Sequence, residues 1–580
     1  MNKQKLIIKN QRFCELQNSV YSFATRPNNL ALLFVFCALF YIVSDAIGTI
    51  NNYSPVPLFD MWNGYLTFFT DDKSFWSQHN EHRIVLSHIL FWIDLKIFHG
   101  TFIFLLIANY FFAALIFVIF FFCSQEILKE NSRATKIVIN CVILILLFSR
   151  IQKENFDQPF QTVFFLAPLT ALLAFYLIHK SVKKWTPSCD GVTSLELSIK
   201  PSPFVTPSHD GVGYFVLSCF FGIISAGTLI NGILTLPLIT LLLLALRKDW
   251  KLIATTTILS AITIAIYFYG YQKPFAPLVE IALHRPLNIA KYILAYLGNP
   301  FFHLFYFQFI AQLAGFFLIS SSGFFAFKYL KNTATSSLQL ALLTFIFFIE
   351  ITAFLTSTGR SLDGAGQAFI SRYSTPVLMA WISLLLLYLS LIRQKLENNF
   401  TRFALIFFLV PIFFLPKQLE TLHPAKDALF EYKIAALATE LNIDDQEQLS
   451  KIYVRGDFLL TKTKPAIEQN LSIFGNPLIQ DAHGLIGTFE PNNFTNKCSG
   501  NLDKITKIED PRYLRIEGQI TNSAPKIIHL LDHKNKIVGY ALGDKNLGFK
   551  GYLLREFSNQ EITLRGFQPD CELQIFSKYD

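Results

Sequence analysis

Apolar runs of about 15 to 20 residues recur through the first 416 positions of this chain, the length a helix needs to cross a hydrocarbon core. No other sequence feature restricts the fold so tightly. Inside lipid a backbone must satisfy its own hydrogen bonds, so runs of this kind fold as spanning helices. Eleven are read, at about 29–49, 101–123, 135–149, 162–179, 213–229, 232–246, 252–270, 302–327, 337–356, 375–392 and 402–416. Hydrophobic residues make up 52% of the chain and charged residues only 16%, which excludes an ordinary soluble enzyme. From Lys417 to Asp580 charges are frequent and no run could span a bilayer.

Basic residues set the expected orientation. Lys3, Lys5, Lys9, Arg12 and Arg26 precede the first run, and Lys129, Arg133, Lys183, Lys184, Arg247, Lys248, Lys251, Lys328, Lys331, Arg393, Lys395 and Arg402 fall in alternate loops. These belong inside. The amino terminus is then cytoplasmic, and an odd number of spans puts the tail outside. The first run is too long for a signal peptide and lacks a small-residue cleavage site, so it reads as an uncleaved anchor.

The expected fold class is a polytopic α-helical membrane protein of about 11 transmembrane helices with a C-terminal extracytoplasmic β-rich domain. Residues 1–28 form the cytoplasmic segment and 29–416 the transmembrane domain. Within it lie a first outer loop, 50–100, with interfacial helices, and a flexible cytoplasmic insertion, 180–212. Residues 417–580 form an α/β tail, mainly β-rich from about 450.

In the tail the pattern predicts an amphipathic helix over about 425–441. It predicts strands at Lys451–Val454, Tyr513–Ile520, Ile527–Leu531, Ile537–Leu542 and Ile562–Phe567, with a hairpin at Asp532–Lys536. In the first loop Leu86, Ile89, Leu90, Ile93 and Ile97 share a helical face, broken by Ser87, His88, Asp94 and Lys96. That pattern suits a helix lying in the membrane interface.

The net charge of +9 follows from the cytoplasmic loops, and no basic patch with interleaved aromatics points to nucleic acid. Cys37, Cys123, Cys141 and Cys219 lie in or near spans and act as small apolar residues, while Cys14 and Cys189 are cytoplasmic. Cys498 and Cys571 fall together in the outer tail, where an oxidising compartment favours a disulfide over two buried thiols. PSCDGV and PSHDGV repeat in the 180–212 loop among Ser and Pro. They read as a linker rather than as a metal site built from Cys189, Asp190, His209 and Asp210.

The outer loops hold the residues that a membrane protein has least reason to crowd beside a bilayer. The first reads PLFDMWNGYLTFFTDDKSFWSQHNEHR, with Asp60, Asp71, Asp72, His79, Glu81, His82 and Arg83. A second reads SRIQKENFDQPFQ, with Arg150, Lys153, Glu154, Asn155, Asp157 and Gln161. A third holds Glu280, His284, Arg285 and Lys291, then AYLGNP. A fourth, STGRSLDGAGQAFISRYST, holds Arg360, Asp363, Arg372 and Tyr373. Arg285, Arg360 and Arg372 oppose the topology rule, and binding a phosphate is the simplest reason for their presence. The competing account is snorkelling to lipid headgroups. Two arginines flanking a loop with Gly359, Gly364 and Gly366 favour phosphate.

Asp60 suits a general base, since a carboxylate that takes the proton of a hydroxyl nucleophile lowers its barrier; the plainer account is a helix cap. The run from His79 to Arg83 lacks the spacing of a zinc motif. On a helix His79, His82 and Arg83 would share a face, where Arg83 would repel a cation. Ion pairing or substrate hydrogen bonding fits it better. A divalent ion held by Asp60, Glu81 or Glu154 is the minority alternative, and no cofactor is firmly implied.

These residues resemble the GT-C superfamily of integral-membrane glycosyltransferases, bacterial members in particular. The resemblance rests on Gln78-His79-Asn80-Glu81-His82-Arg83, Glu154-Asn155 with Gln161, Gly359-Arg360, Ser371-Arg372-Tyr373 and the β tail. It is specific at the first and fourth loops and loose elsewhere. It implies a GT-C-like transmembrane domain and a sugar donor carried on polyprenyl phosphate. It also implies a glycan or lipid acceptor, and action at the outer face of a bacterial inner membrane. It gives the base role to Asp60, and substrate contacts to Arg360, Arg372, Tyr373, Arg285, His79, Glu81, His82, Arg83, Glu154, Asn155 and Gln161. Many relatives pair two acids in the first loop. Here Met61 follows Asp60, so a partner acid must be Asp71, Asp72 or Glu81. The absence of any Walker or Rossmann glycine pattern agrees with a reaction that uses no nucleotide. A transporter or flippase of lipid-linked sugars should show internal repeats, which are not evident. An O-antigen-ligase-like enzyme would differ in the size of its donor.

Overall fold

The computed structural model describes residues 26–68, 75–185, 209–272, 285–331, 336–360, 364–490 and 496–576, except 545 and 547. Asp71, Asp72, Glu280, His284, Asp363, Cys14 and Cys189 lie outside them. The contacts divide the chain into two compact units: 1–50, 78–87 and 107–423 in the first, and 51–77, 88–106 and 424–580 in the second. Most of the first outer loop, expected to belong with the spans, is thereby grouped with the tail.

The first unit is built from apolar helices. Among the described residues nine are long and apolar enough to cross a membrane: Pro27–Asn51, Ile103–Ile127, Arg133–Asp157, Pro159–Lys183, Trp250–Phe268, Gln308–Lys331, Ser337–Arg360, Ser371–Asn398 and Phe400–Glu420. Two shorter apolar helices, Asp210–Ala226 and Ile230–Ala245, fall where the fifth and sixth runs were read. The helices Arg133–Asp157 and Pro159–Lys183 are the central ones, with 78% and 83% of their apolar windows buried, against 17% for Trp250–Phe268. Phe175 and Ile178 of Pro159–Lys183 share a core with Phe345, Phe348, Leu386 and Leu387, all fully buried.

Lipid tails are as apolar as leucine, so the helices associate through close packing and polar contacts. Gly298 and Gly315 show how close: a Cβ at Gly298 would stand 1.7 Å from the Ala311 carbonyl, and one at Gly315 would stand 2.1 Å from the Leu294 carbonyl. These two contacts seat the helix Pro286–Leu297 against Gln308–Lys331.

In the second unit the helix Lys426–Glu440 packs Ile434, Ala435, Leu437 and Ala438 against Tyr540, Leu542 and Tyr552 of a sheet. Two short strands of the first unit are β1, Gln78–His79, and β2, His82–Arg83. The sheet of the tail comprises β3 (Gly500–Lys507), β4 (Tyr513–Ile520), β5 (Ile527–Leu531), β6 (Ile537–Asp544), β7 (Gly548–Leu554), β8 (Glu561–Phe567) and β9 (Cys571–Phe576). Their order is β3-β4-β7-β6-β5-β8-β9, with every neighbouring pair antiparallel. Cys498 and Cys571 form a disulfide, joining the entry to β3 with the start of β9. The first-loop segments share this unit's core. Val56 and Trp62 lie in one cluster with Ile473 and Phe474. The Phe59 N–H donates to the Ile452 carbonyl at 2.7 Å, and the Ser472 N–H to the His99 carbonyl at 2.8 Å.

Two expectations need correction. Lys451–Val454 is not a strand: Asp445 caps the short helix Gln446–Leu449, and the chain continues in turns, with the Ile452 and Tyr453 N–H groups donating to the Leu449 carbonyl. The β-rich part accordingly begins at Gly500, because helices at Gly456–Lys462, Lys464–Glu468 and Ala482–Leu485 fill the interval. The helix Val85–Ile97 buries its polar side, Ser87, His88 and Asp94 along with Phe91 and Leu95, and exposes Ile89, Trp92 and Ile97. This inverts the burial of a helix on a water-facing surface.

Candidate functional site

The run from Gln78 to Arg83 forms a tight antiparallel hairpin, pairing Gln78 with Arg83 and His79 with His82. The helical placement of His79, His82 and Arg83 is therefore wrong. Asn80 takes the left-handed conformation at the turn, with φ of 50°, a region asparagine tolerates better than most residues. The Gln78 and Gln272 groups bond reciprocally, side-chain N–H to backbone carbonyl at 2.9 Å and backbone N–H to side-chain oxygen at 3.0 Å. Arg83 is buried, and its guanidinium donates to the Tyr267 and Tyr269 carbonyls, each at 2.8 Å. A cation there satisfies carbonyls at the end of the helix Trp250–Phe268. His79 is buried with its ring 5.0 Å from that of Phe160.

What the turn presents is Glu81. One of its oxygens lies 3.7 Å from Arg360 Nη2 and 3.5 Å from His82 Nε2. His82 Nδ1 accepts the Ile230 N–H at 3.3 Å, which places the proton of the neutral ring on Nε2, toward Glu81. Burial pushes the His82 imidazole down to about 4; Glu81 pulls against this and Arg360 adds to it. The ring is neutral at pH 7 and acts as a hydrogen-bond donor.

A second acid–arginine pair joins the second and fourth loops. Glu154 Oε1 lies 3.6 Å from Arg372 Nη1 and accepts from Gln161 Nε2 at 3.1 Å. Asn155, fully buried, donates to the Arg372 carbonyl at 2.9 Å and to Thr375 Oγ1 at 2.6 Å. Ser374 donates to Asn299 Oδ1 at 2.5 Å, while Asn299 Nδ2 donates to the Ala368 and Ile370 carbonyls. Buried amides thus fix the backbone on both sides of Arg372. Behind Glu154, Arg150 binds both oxygens of Asp157 at 2.8 and 2.6 Å and Asp45 at 3.1 Å, with Tyr110 donating to Asp45 at 2.7 Å. This buried network ties the loop to the first two spanning helices.

Tyr373 is buried beside Tyr296, ring centroids 4.9 Å apart, and the Arg372 guanidinium lies 5.8 Å from its ring. Tyr292, on the same helix as Tyr296, is also fully buried.

Arg360 ends one spanning helix and Arg372 is the second residue of the next, with only residues 361–370 between the two helices. Both therefore stand at the same end of the helices. The contacts of Glu81 and Glu154 bring the hairpin and the second loop to that end as well. Arg285 is exposed at the start of the helix Pro286–Leu297. Asp60 opens the helix Asp60–Leu66 of the second unit. Among the described residues no three acids, histidines or cysteines gather as a cation site. Glu81 and Glu154 instead face guanidiniums, which oppose a metal ion there.

Sequence reasoning missed Asp45 and Asn299. An aspartate inside an apolar run was a usable signal for the first. The second had none, because its role depends on which helices pack together.

No family model matches the chain, and no curated protein matches it. Among solved structures, the apo crystal structure of the oligosaccharyltransferase from Archaeoglobus fulgidus is similar, at 13% sequence identity and a TM-score of 0.41. The similarity covers 74% of this chain and 59% of the archaeal one, less than two thirds of that protein's length.

Proposed function

We propose that this protein is a membrane glycosyltransferase that moves a sugar from a polyprenyl-phosphate donor to a glycan or lipid acceptor. The observation that carries the reading is the pair of part-exposed arginines, Arg360 and Arg372, at one end of adjacent spanning helices, each facing a carboxylate among the described residues. Basic residues near the other ends of these helices, Lys331 before the first and Arg393 and Lys395 in the second, support reading that side as cytoplasmic. The disulfide supports a tail in an oxidising compartment. The site then faces the outside of a bacterial inner membrane, with the donor reaching it through the lipid.

In this reading the arginines bind the donor phosphate as planar forks of hydrogen-bond donors. The acceptor oxygen forms a bond to the anomeric carbon as the bond from that carbon to the phosphate oxygen breaks. The negative charge growing on the leaving phosphate is stabilised by fixed guanidiniums. The acceptor proton passes to a carboxylate, the role that the GT-C resemblance gives to Asp60.

The test is binding of undecaprenyl phosphate, without sugar, to the purified protein in nanodiscs. Losing a charge-assisted hydrogen bond costs about 1.5–3 kcal/mol, so Arg372→Ala should weaken binding roughly ten- to a hundredfold, and Arg372→Lys less. Wild-type affinity in Arg372→Ala would remove the phosphate role.

A further inference from the structure

The tail holds a cleft of about 530 Å³ that the proposed reaction leaves unused. Every residue that lines it belongs to the second unit. One wall is the first two turns of the helix Lys426–Glu440, and the others are β3, β4 and β7. Side chains alternate across a strand, so the neighbours Asp503 and Lys504 of β3 should point to opposite sides of the sheet. Both line the cleft, because the pairing of β3 with β4 shifts register between Leu502 and Lys504. A bulge of this kind re-aims a side chain, and bulges are over-represented next to active sites. The buried part of the lining is fixed. Lys550 donates to Glu431 at 2.7 Å and lies 3.5 Å from Glu517, and Lys451 also donates to Glu431. Phe430 and Phe549 line the cleft with rings that are otherwise buried.

The exposed part of the lining is Asp427, Asp503, Lys504 and Gln519. These offer carboxylate acceptors, an ammonium donor and an amide that both donates and accepts. Acids outnumber bases in the lining by four to two, which repels phosphate and other anions. Glu431 and Glu517 are engaged by Lys550, and among the described residues no group of acids is placed to hold a metal ion. A neutral ligand with many hydroxyl groups uses every one of these wall groups, since a hydroxyl donates to a carboxylate and accepts from an ammonium. Its apolar C–H faces pack on the phenylalanine rings. Those are the properties of a sugar, and the volume is that of a small-ligand site. We propose that this cleft binds neutral sugar units of the acceptor, so that the tail selects and retains a glycan. The inference rests on the glycosyl-transfer reading and commits its acceptor to a glycan rather than a lipid.

The experiment compares the full chain in nanodiscs as wild type and as the double variant Asp427→Ala/Gln519→Ala, which alters two exposed side chains. Binding is measured to an array of neutral oligosaccharides of glucose, galactose, mannose, rhamnose and N-acetylglucosamine. Oligogalacturonate, spermine and undecaprenyl phosphate are measured alongside. Transfer is read by mass spectrometry of the surface glycan in cells at low and high expression. Expected is binding of a neutral oligosaccharide by wild type and a loss of roughly tenfold or more in the double variant, with undecaprenyl phosphate affinity kept. In cells the double variant should modify less glycan at low expression and recover at high expression, as a weakened acceptor affinity requires. The inference is overturned if wild type binds no neutral oligosaccharide, if it prefers oligogalacturonate or spermine, or if the double variant binds equally well. Equal losses of oligosaccharide and undecaprenyl phosphate overturn it too, since the two side chains then serve the fold. Lost oligosaccharide binding with full transfer at low expression overturns it as well, because the bound glycan is then not the acceptor. In all these cases a surface glycan that changes with the wild-type protein leaves glycosyl transfer standing. A surface glycan that is the same with and without the wild-type protein removes glycosyl transfer itself, and the acceptor role with it.

Discussion

If Arg372 binds the donor phosphate, Glu154 competes for it, and Glu154→Gln makes that competition measurable. The variant keeps the side-chain shape and an oxygen to accept from Gln161, and removes only the charge. At the observed 3.6 Å, an effective dielectric of about 20 gives a gross attraction of about 4–5 kcal/mol. The side chains are 22% and 18% exposed, so solvent screening and side-chain freedom reduce the coupling to about 1–2 kcal/mol. A phosphate arriving at wild-type Arg372 must offset that amount; in Glu154→Gln it does not. The variant should bind undecaprenyl phosphate roughly five- to thirtyfold more tightly, as measured by titration in nanodiscs. In an Arg372→Ala background the same change should have no effect, because the partner whose charge it frees is gone. Equal affinity in Glu154→Gln and wild type, or a gain that persists without Arg372, would refute the reasoning.

Two further outcomes are expected. Asp60→Asn keeps shape and removes basicity, so sugar transfer should fall roughly a hundredfold or more while undecaprenyl phosphate binding is kept; near-normal turnover would remove Asp60 from the reaction. Asp94 accepts from the Tyr65 hydroxyl and the Phe102 N–H, and burial outweighs both, raising its carboxyl to about 6. Its pKa is thus higher folded than unfolded, so its stabilising contribution is present in full below about pH 4 and is lost as pH rises through 6. Relative to wild type, Asp94→Asn should therefore gain in melting temperature between pH 4 and pH 7, and a difference that stays constant across that range would count against it.

The spans were legible because lipid imposes the same demand on every spanning segment. Each needs about 20 apolar residues, and the runs read at 162–179 and 337–356 match the helices Pro159–Lys183 and Ser337–Arg360. Tyr513–Ile520 and Ile527–Leu531 were legible through their residue types and bounding turns, and the Cys498–Cys571 disulfide through the pair of cysteines in the tail. Lys451–Val454 misled because four residues carry too little periodicity to separate a strand from a turn that buries Ile452. The run from His79 to Arg83 misled for the same reason: at that length the left-handed Asn80 and its pairing across the turn decide the structure.

Local sequence determined that this chain spans a membrane, where its helices lie, which loops carry the ionisable groups and that its tail holds strands. Those properties depend on each segment's own balance of apolar burial and backbone hydrogen bonding. Tertiary structure alone decided that Glu81 faces Arg360, that Glu154 faces Arg372 and that Arg83 caps a helix. Each of these joins residues far apart in sequence, or buries one behind a neighbouring helix. A charge in a loop reads the same from sequence whether it meets water, lipid or an opposite charge, and only the packing that brings the loops to one end of the helices distinguishes them.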